Sequence, residues 1–345
     1  MKSSRRFGRM TNLLIFTLSC LVAISLAEIS CYFLYEYKIH HDPEGRNLFY
    51  PQGYSQDDDL LGYKPKASTD HSSFLILNNT KIYDVIYSID NYNRRRTAIA
   101  HQEKRLKFAI FFGCSYVYGE GVQNDQTLPY YFSEISPEYM PYNYGFHGYG
   151  PQEMLAKLQD DSIRKEINEK NGIAIYLYLH EHHPKRAIGN MIVSNGYGKN
   201  MPYYMIDSDN KLVRHGSFSS GRPVISRLYR LLGARYFVKY FYIQFPPIIT
   251  DTHYKLTARM IEESRNEFKK KFMSNNFYVL IYPTKGAEKI IPYFEKAKIT
   301  YFDYSTLFDP GSKQYAIPDG HPHPTPEAYR VIAEKLSKDI LNSTN

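Results

Sequence analysis

The sequence predicts an α/β fold in which helices cover a parallel sheet. From about residue 106 to the C-terminus, short aromatic and β-branched runs alternate with segments whose apolar residues recur at helical spacing. This alternation is typical of parallel strands joined by crossover helices. A long apolar run near the N-terminus and a turn-rich region before residue 106 stand outside the pattern. We therefore expect an N-terminal transmembrane helix and a small β appendage in addition to the sheet.

The composition is that of a globular protein. Hydrophobic residues make up 43% of the 345 residues, and 34 tyrosines supply large side chains for a core. The net charge is +8; four of the cations lie within residues 1–10, which leaves 8 − 4 = +4 for the rest of the chain. Basic runs at 94–96 and 269–271 come without a nucleic-acid-binding motif, so we expect no nucleic-acid partner.

The N-terminal segment has the features of a membrane anchor. Residues 13–35 are apolar apart from Glu28 and a few small polar residues, and these 23 residues would form a helix about 34 Å long. The hydrocarbon core of a bilayer is about 30 Å thick. Cations precede this run and mixed charges follow it, so the positive-inside rule places the N-terminus in the cytoplasm. We expect a basic cytoplasmic tail (1–11), a transmembrane signal anchor (12–35) and an extracytoplasmic chain, periplasmic in a bacterium.

A cleaved signal peptide is the alternative, because residues 13–27 have the length of a signal-peptide core. No clear small-x-small cleavage site follows, and Cys20 and Cys31 lack lipobox neighbours. With these two cysteines in the span, Cys114 is the one thiol left in the remaining chain. An intradomain disulfide is therefore not expected.

Residues 36–105 are expected to form a stalk and the β appendage. The region after Tyr50 is polar and turn-rich until residues 81–89, which alternate like a half-exposed strand. Asp90–Asn93 then has the composition of a turn.

The main domain is expected at 106–345. Its predicted strands are 106–113, 140–144, 173–180, 277–282 and 299–303. Its predicted helices are 127–135, 151–159, 287–296 and 326–341, each near a Pro, Gly or Thr start signal. At about 184–276 the alternation of strand and helix patterns is interrupted. There a hairpin at 201–214 and helices at 223–242 and 251–273 form an insertion, which we expect to act as a lid or a recognition wall beside the site.

The segment Gly113–Gly119 carries the strongest functional indication in the chain. It reads Gly-Cys-Ser-Tyr-Val-Tyr-Gly and follows a predicted buried strand. A serine where a strand turns toward a helix can be exposed as a nucleophile, but its hydroxyl needs a base and an orienting acid. Ser115 is thus the candidate nucleophile. Cys114 is the weaker alternative, because a small buried cysteine beside a strand is common.

A candidate acid and base lie just before the last predicted helix, in Pro318-Asp319-Gly320-His321-Pro322-His323. Residues two apart in an extended segment share a face, so Asp319 can hold His321 in one tautomer while the other ring nitrogen faces Ser115. His323 is the alternative base.

These motifs resemble the SGNH/GDSL hydrolase superfamily. Ser115 and Gly119 match its Gly-Asp-Ser-x-x-x-Gly nucleophile block, with Cys114 in place of the aspartate. Asp319 and His321 match its final block, with a spacing of two positions in place of three, and the Gly-His-Pro setting favours His321 over its neighbour. The resemblance implies a flavodoxin-like three-layer α/β/α fold and a Ser-His-Asp triad without a cofactor.

The resemblance also implies an oxyanion hole. Asn143–Pro151 is similar to the family's second block, in which a glycine N–H, here that of Gly148, lines the hole together with the N–H of Ser115. An asparagine of the third block completes the hole in the family. His182 and His183 stand near that place in this chain, so either is a candidate donor.

Two other interpretations of these residues are less favoured. The histidines at 180, 182 and 183, with Glu181, suggest a metal site, but neighbouring side chains diverge and no established ligand spacing is present, so we expect no metal. The nucleophile elbow of α/β-hydrolases places its second glycine two residues after the serine, whereas Gly119 lies four residues after Ser115.

The sequence thus predicts a serine hydrolase that acts on an ester or acyl group outside the cytoplasm, as an esterase or deacetylase. Transfer to a sugar hydroxyl in place of water would make it an O-acyltransferase of envelope glycans. A non-catalytic envelope protein that binds a glycan or a partner is the other alternative, because Cys114 and the third block depart from the family pattern.

Overall fold

The computed structural model describes residues 2–41, 47–50, 53–99, 104–180, 182–318 and 322–344. The strands that these residues form are β1 (Asn47–Phe49), β2 (Ser55–Asp58), β3 (Gly62–Pro65), β4 (Asp70–Leu77), β5 (Thr80–Ser88), β6 (Lys107–Phe112), β7 (Tyr139–Asn143), β8 (Asn171–Tyr178), β9 (Pro202–Ile206), β10 (Leu212–Ser217), β11 (Phe277–Ile281) and β12 (Tyr301–Asp303). The α-helices are α1 (Lys2–His40), α2 (Ser115–Tyr118), α3 (Leu128–Ile135), α4 (Pro151–Gln159), α5 (Ser162–Lys165), α6 (His183–Ala187), α7 (Met191–Asn195), α8 (Phe218–Gly221), α9 (Pro223–Gly233), α10 (Tyr236–Tyr240), α11 (Asp251–Phe272), α12 (Ile291–Lys296) and α13 (Pro326–Thr344).

The centre of the fold is a five-stranded sheet in the order β7-β6-β8-β11-β12, with every neighbouring pair parallel. The chain first adds β7 on one side of β6 and then places β8, β11 and β12 on the other side. This is the flavodoxin-like order, and it reverses direction between β6 and β8. The predicted α/β fold with a parallel sheet is confirmed, and the five predicted strands begin and end within two residues of their observed limits.

Alternate side chains of β6 build two cores on opposite faces of the sheet. Ala109 and Phe111 pack on the face covered by α3, α13 and the appendage. Phe108 and Ile110 pack on the face covered by α4, α11 and α12. Because both faces are covered, β6 is a nearly continuous apolar run, and the molecule has three layers.

The appendage is an antiparallel sheet of β1, β4 and β5. Asn78 and Asn79 join β4 to β5 and both have positive φ, 47° and 60°, as tight hairpin turns require. The prediction at 81–89 corresponds to β5, but β4 is missing from the sequence prediction. Two of its three buried residues, His71 and Ser73, are polar, and only Leu75 is apolar. This hides the period-two pattern of the strand.

The insertion contains the predicted hairpin, formed by β9 and β10. The single helix predicted at 223–242 is instead two helices, α9 and α10. Gly233 ends α9, and Arg235 adopts an extended conformation before α10 begins. The long helix predicted at 251–273 is present as α11.

The helix α1 is long and apolar enough from Thr11 to His40 to cross a membrane, and it is the one such helix in the described chain. A membrane anchor and a signal sequence both have this property. Its apolar side chains are exposed along the span, for example Leu14 at 70% and Phe16 at 67%. Near its C-terminal end, α1 contacts α10 of the insertion.

Candidate active site

Ser115 lies at the carboxyl end of β6, where the strand order of the sheet reverses. Ligands of open α/β sheets bind at such switch points. The serine is the first residue of α2, directly after Cys114 in an extended conformation. Its backbone N–H therefore has no partner within the helix. Cys114, the weaker candidate nucleophile, is 0% exposed and belongs to the core.

His323 is the histidine that the structure places on the serine. Its Nε2 lies 2.8 Å from Ser115 Oγ, a hydrogen-bond distance. The predicted acid Asp319 and the predicted base His321 lie outside the described residues. The residue that contacts the candidate nucleophile is thus the one that the sequence offers as the alternative base.

The loop that carries His323 is fixed on two sides. The N–H of Ile317 donates to the His323 carbonyl at 2.8 Å. The hydroxyl of Tyr116, the residue after the nucleophile, donates to the Pro322 carbonyl at 3.1 Å, and its ring lies 5.1 Å from the imidazole. The nucleophile block itself therefore helps to position the histidine loop.

A buried arginine holds the other end of α2. The guanidinium of Arg95 is 1% exposed and donates to the carbonyls of Tyr118 at 2.7 Å, of Gly119, and of Val122 at 2.6 Å. The last carbonyls of a helix have no partner within it, so these bonds fix the path of the chain just after the serine. Composition alone does not distinguish Arg95 from Arg96, the exposed cation of the same basic run.

A buried carboxylate that sequence motifs do not single out lies beside this block. Glu120 is 1% exposed, its Oε2 lies 2.8 Å from His147 Nδ1, and Tyr50 and Tyr83 donate hydrogen bonds to its Oε1. Burial raises the pKa of Glu120, but the bond and charge of His147, the charge of His323 and the bond from Tyr50 outweigh it and hold the pKa at about 2. Glu120 is thus an ionised group whose field reaches His323.

The second block is tied closely to the nucleophile block. The Asn143 side chain donates to the Val117 carbonyl at 2.8 Å and accepts from the Gly145 N–H at 3.0 Å. A Cβ at Gly145 would lie 2.6 Å from the backbone nitrogen of Tyr118, so a glycine is needed for this approach. Gly148 has a φ of 75°, which favours glycine.

The two histidines of the third block have different surroundings. His183 is fully buried, its N–H donates to the Leu179 carbonyl at 3.0 Å, and its Nδ1 lies 2.6 Å from the Tyr176 hydroxyl. These bonds use the backbone N–H and Nδ1 of His183, whereas its buried Nε2 has no hydrogen-bond partner among the described residues. The part of His183 in the oxyanion hole stays a prediction. The side chain of His182 instead lines the cleft described next.

A cleft of 820 Å³ opens beside the histidine loop. Its lining combines aromatic rings with charged and hydroxyl groups, among them Tyr116, His182, Tyr282, Lys285, Thr306 and Asp309. Most of its lining residues come from the segments after β11 and β12, and none comes from the insertion. A second cavity, of 310 Å³, is lined by Gly113 of the nucleophile block. Neither Ser115 nor His323 is among the lining residues of the cleft or of this cavity; the cleft adjoins them through Tyr116 and Pro322. In the part of the chain that the structure describes, no group of three or more His, Cys, Asp or Glu is placed to hold a metal ion.

No protein-family model matches the chain, and no curated protein matches it. The chain is similar to solved GDSL-type proteins and carbohydrate esterases. A member of the lipolytic protein G-D-S-L family from Veillonella parvula is 14% identical, with 67% of this chain and 97% of that chain covered and a TM-score of 0.36.

Two esterases show a similar level of likeness. A carbohydrate esterase family 2 enzyme with a carbohydrate binding domain from Corynascus thermopiles (Myceliophthora fergusii) is 10% identical, with 86% of this chain and 99% of that chain covered and a TM-score of 0.43. An acetyl xylan esterase from the rumen bacterium Butyrivibrio proteoclasticus is 10% identical, with 81% and 72% covered and a TM-score of 0.37.

Proposed function

We propose that this protein is a membrane-anchored serine hydrolase of the SGNH/GDSL type that acts on an ester or acyl group outside the cytoplasm. The observation that carries the proposal is the 2.8 Å contact between Ser115 Oγ and His323 Nε2. It is supported by the place of the serine at the switch point of the sheet and by the cleft beside the histidine loop.

In the proposed mechanism, Ser115 Oγ attacks the carbonyl carbon of the ester while His323 Nε2 takes the hydroxyl proton. The resulting imidazolium returns a proton to the leaving alcohol, which yields an acyl-serine, and the imidazole then activates water to release the acid. We assign the orienting acid to Asp319, which belongs to the same loop. His321 is retained as the alternative base.

Glu120 has a supporting part in this scheme. Because it is ionised and close enough to interact electrostatically with His323, its charge stabilises the imidazolium that forms when the serine attacks. His147 and the tyrosine hydroxyls hold this carboxylate in place. We therefore propose Glu120 as a residue that acts through His323 and does not touch the substrate.

The oxyanion of the tetrahedral intermediate would be held by the N–H groups of Ser115 and Gly148. One donor of this kind stabilises the transition state by about 3–4 kcal/mol. The side chain of His182 is the proposed third donor, because it lines the cleft together with Tyr116, the residue next to the nucleophile.

The lining of the cleft supports a proposal for the substrate class. Aromatic rings with interspersed hydroxyl, Lys285 and Asp309 groups suit a sugar, whose faces are apolar and whose hydroxyls need hydrogen-bond partners. We propose an acylated glycan as the substrate.

Hydrolysis of p-nitrophenyl acetate and acetate release from acetylated oligosaccharides test the activity. The wild-type chain is expected to turn over both, and Ser115→Ala neither. Ser208→Ala, a change of the same type in the exposed turn of the β9–β10 hairpin, is the matched control and is expected to behave as wild type. Equal rates for wild type and Ser115→Ala would refute the proposed function.

A further inference from the structure

The helices α9 and α10 carry an apolar surface that the rest of the described chain leaves open. Neither helix contains a buried residue. We define the insertion face by its exposed large apolar side chains, which are Val224, Ile225, Leu228, Leu231, Phe237, Phe241, Tyr242, Phe245 and Ile248. Exposed apolar side chains clustered in one region of a fold mark a contact with a protein or a membrane.

The spacing of these residues places them along one face of each helix. Val224, Leu228 and Leu231 follow one another at i, i+4 and i+7 along α9, and they are 80%, 51% and 55% exposed. Phe237 and Phe241 repeat the i, i+4 spacing along α10, and their rings lie 4.9 Å apart. The stripe on α9 is therefore followed by a second apolar patch on α10.

The charged side chains of the same region are all positive. Between Asn210 and Asp251 there is no acidic residue, whereas Lys and Arg occur seven times. Arg227, Arg230 and Arg235 of this set are exposed beside the apolar stripe. Exposed cations next to large apolar side chains are typical of helices that lie in the interface of an anionic bilayer.

Direct contacts connect this region to α1. Glu28 accepts hydrogen bonds from the N–H groups of Tyr236 at 2.6 Å and Phe237 at 3.1 Å. The Tyr32 ring meets that of Tyr236 edge-on at 4.8 Å. The acidic residue within the apolar span thus has a partner, because it binds the first backbone N–H groups of α10.

These contacts set the depth of α10. Glu28 precedes Tyr35, the end of the predicted span, by seven residues, or about 10 Å along a helix. Interfacial helices bury their apolar face about 5–10 Å into the boundary between headgroups and acyl chains. The position of α10 against α1 therefore matches the depth of an interfacial helix.

We infer that the insertion face lies in the leaflet interface next to residues 28–38 and is a second membrane contact, with anionic lipid as its partner. The inference rests on the membrane anchor of the proposed function. It implies that the chain contacts the bilayer at two places, through α1 and through the insertion face. Two contacts give the cleft one fixed orientation toward the membrane surface.

Single tryptophans test this inference directly, because the chain contains none. The full chain is reconstituted in vesicles of phosphatidylcholine and phosphatidylglycerol, with or without brominated acyl chains that quench tryptophan. Leu228→Trp and Phe241→Trp probe α9 and the end of α10. Leu21→Trp, in the apolar span, is the positive control. Leu106→Trp, 76% exposed at the amino edge of the sheet and opposite the edge from which the insertion leaves, is the water-facing control.

The expected result is blue-shifted emission and strong quenching by brominated lipid for Leu228→Trp and Phe241→Trp, as for Leu21→Trp, with neither effect for Leu106→Trp. If Leu21→Trp is quenched and both insertion variants behave like Leu106→Trp, the inference fails and the anchor stands. A blue shift without quenching would mean that protein covers the face, which also overturns the inference. No quenching of Leu21→Trp would overturn the anchor and the inference together.

Discussion

His323 Nε2 lies 2.8 Å from Ser115 Oγ, although the two residues are 208 positions apart in the chain. The two groups approach from different sides, the serine from the end of β6 and the imidazole from the loop before α13. Tyr116 and Ile317 hold that loop at its backbone. The geometry therefore places one of the two candidate histidines, His323, on the serine.

The first prediction concerns this choice of base. His323→Ala is expected to lower kcat for a small ester by about 10²- to 10⁴-fold, the usual contribution of a general base. His321→Ala, the same change two residues away in the same loop, is expected to keep most of the activity. Steady-state kinetics of both variants decide the matter, and the opposite order of losses would assign the base to His321.

The second prediction concerns Tyr116. Tyr116→Phe keeps the ring and removes the hydroxyl that donates to the Pro322 carbonyl. Loss of one such bond costs about 1 kcal/mol, so kcat/KM is expected to fall about fivefold, with the melting temperature nearly unchanged. Tyr92→Phe, at an exposed tyrosine, is the control. Equal kinetics for Tyr116→Phe and wild type would show that the hydroxyl does not position the loop.

The third prediction concerns Arg95. Arg95→Met leaves buried carbonyls without their donor, and each unsatisfied group costs about 1–3 kcal/mol. We expect a loss of about 3 kcal/mol or more in the free energy of unfolding, measured by urea titration. Arg96→Met is the matched control, because Arg96 is exposed in the same basic run and is expected to change stability little. Similar losses for both variants would contradict the role assigned to Arg95.

The fourth prediction is a pH dependence of stability. The pKa of Glu120 falls from its ordinary value of 4.5 to about 2 in the folded chain. A carboxyl group with a lowered folded pKa stabilises the protein above its unfolded pKa, and that contribution is lost as the pH falls toward the folded value. Glu120→Gln is thus expected to be less stable than wild type at about pH 6, with the difference shrinking toward about pH 3.

Thermal unfolding of the two chains across this range measures the effect. Glu134→Gln, at a carboxylate that is 46% exposed and pairs with Arg105, is the matched control. A stability difference between Glu120→Gln and wild type that stays constant with pH would show that the carboxylate charge is not the stabilising feature.

The sheet could be predicted from the sequence because its strands are buried on both faces and appear as short apolar runs. The same rule fails for β4, where inward-facing His71 and Ser73 interrupt the apolar alternation. The break between α9 and α10 was also not predictable from periodicity, because the apolar spacing continues across Arg235. Local sequence patterns indicate which side chains are buried, but they do not indicate the path of the backbone.

The position of Ser115 at the end of a strand could be predicted for a similar reason, since the end of β6 is visible in the sequence. Which histidine contacts Ser115 could not be predicted, because His321 and His323 are two residues apart in the sequence and the folded path of the loop decides which of them reaches the serine. Glu120 and Arg95 are buried charges, and burial of a charge leaves no periodic signal. One sequence feature does point to Glu120: it is an acidic residue between two glycines, directly after the nucleophile block.

The most direct test of the account is labelling of the full chain by a fluorophosphonate probe, which reacts with a serine that a histidine activates. We expect Ser115 to be labelled in wild type, and Ser115→Ala and His323→Ala to show no labelling above background. Ser208→Ala should be labelled as wild type is. Wild type that is labelled no more than Ser115→Ala would contradict the assignment of Ser115 and His323 as nucleophile and base.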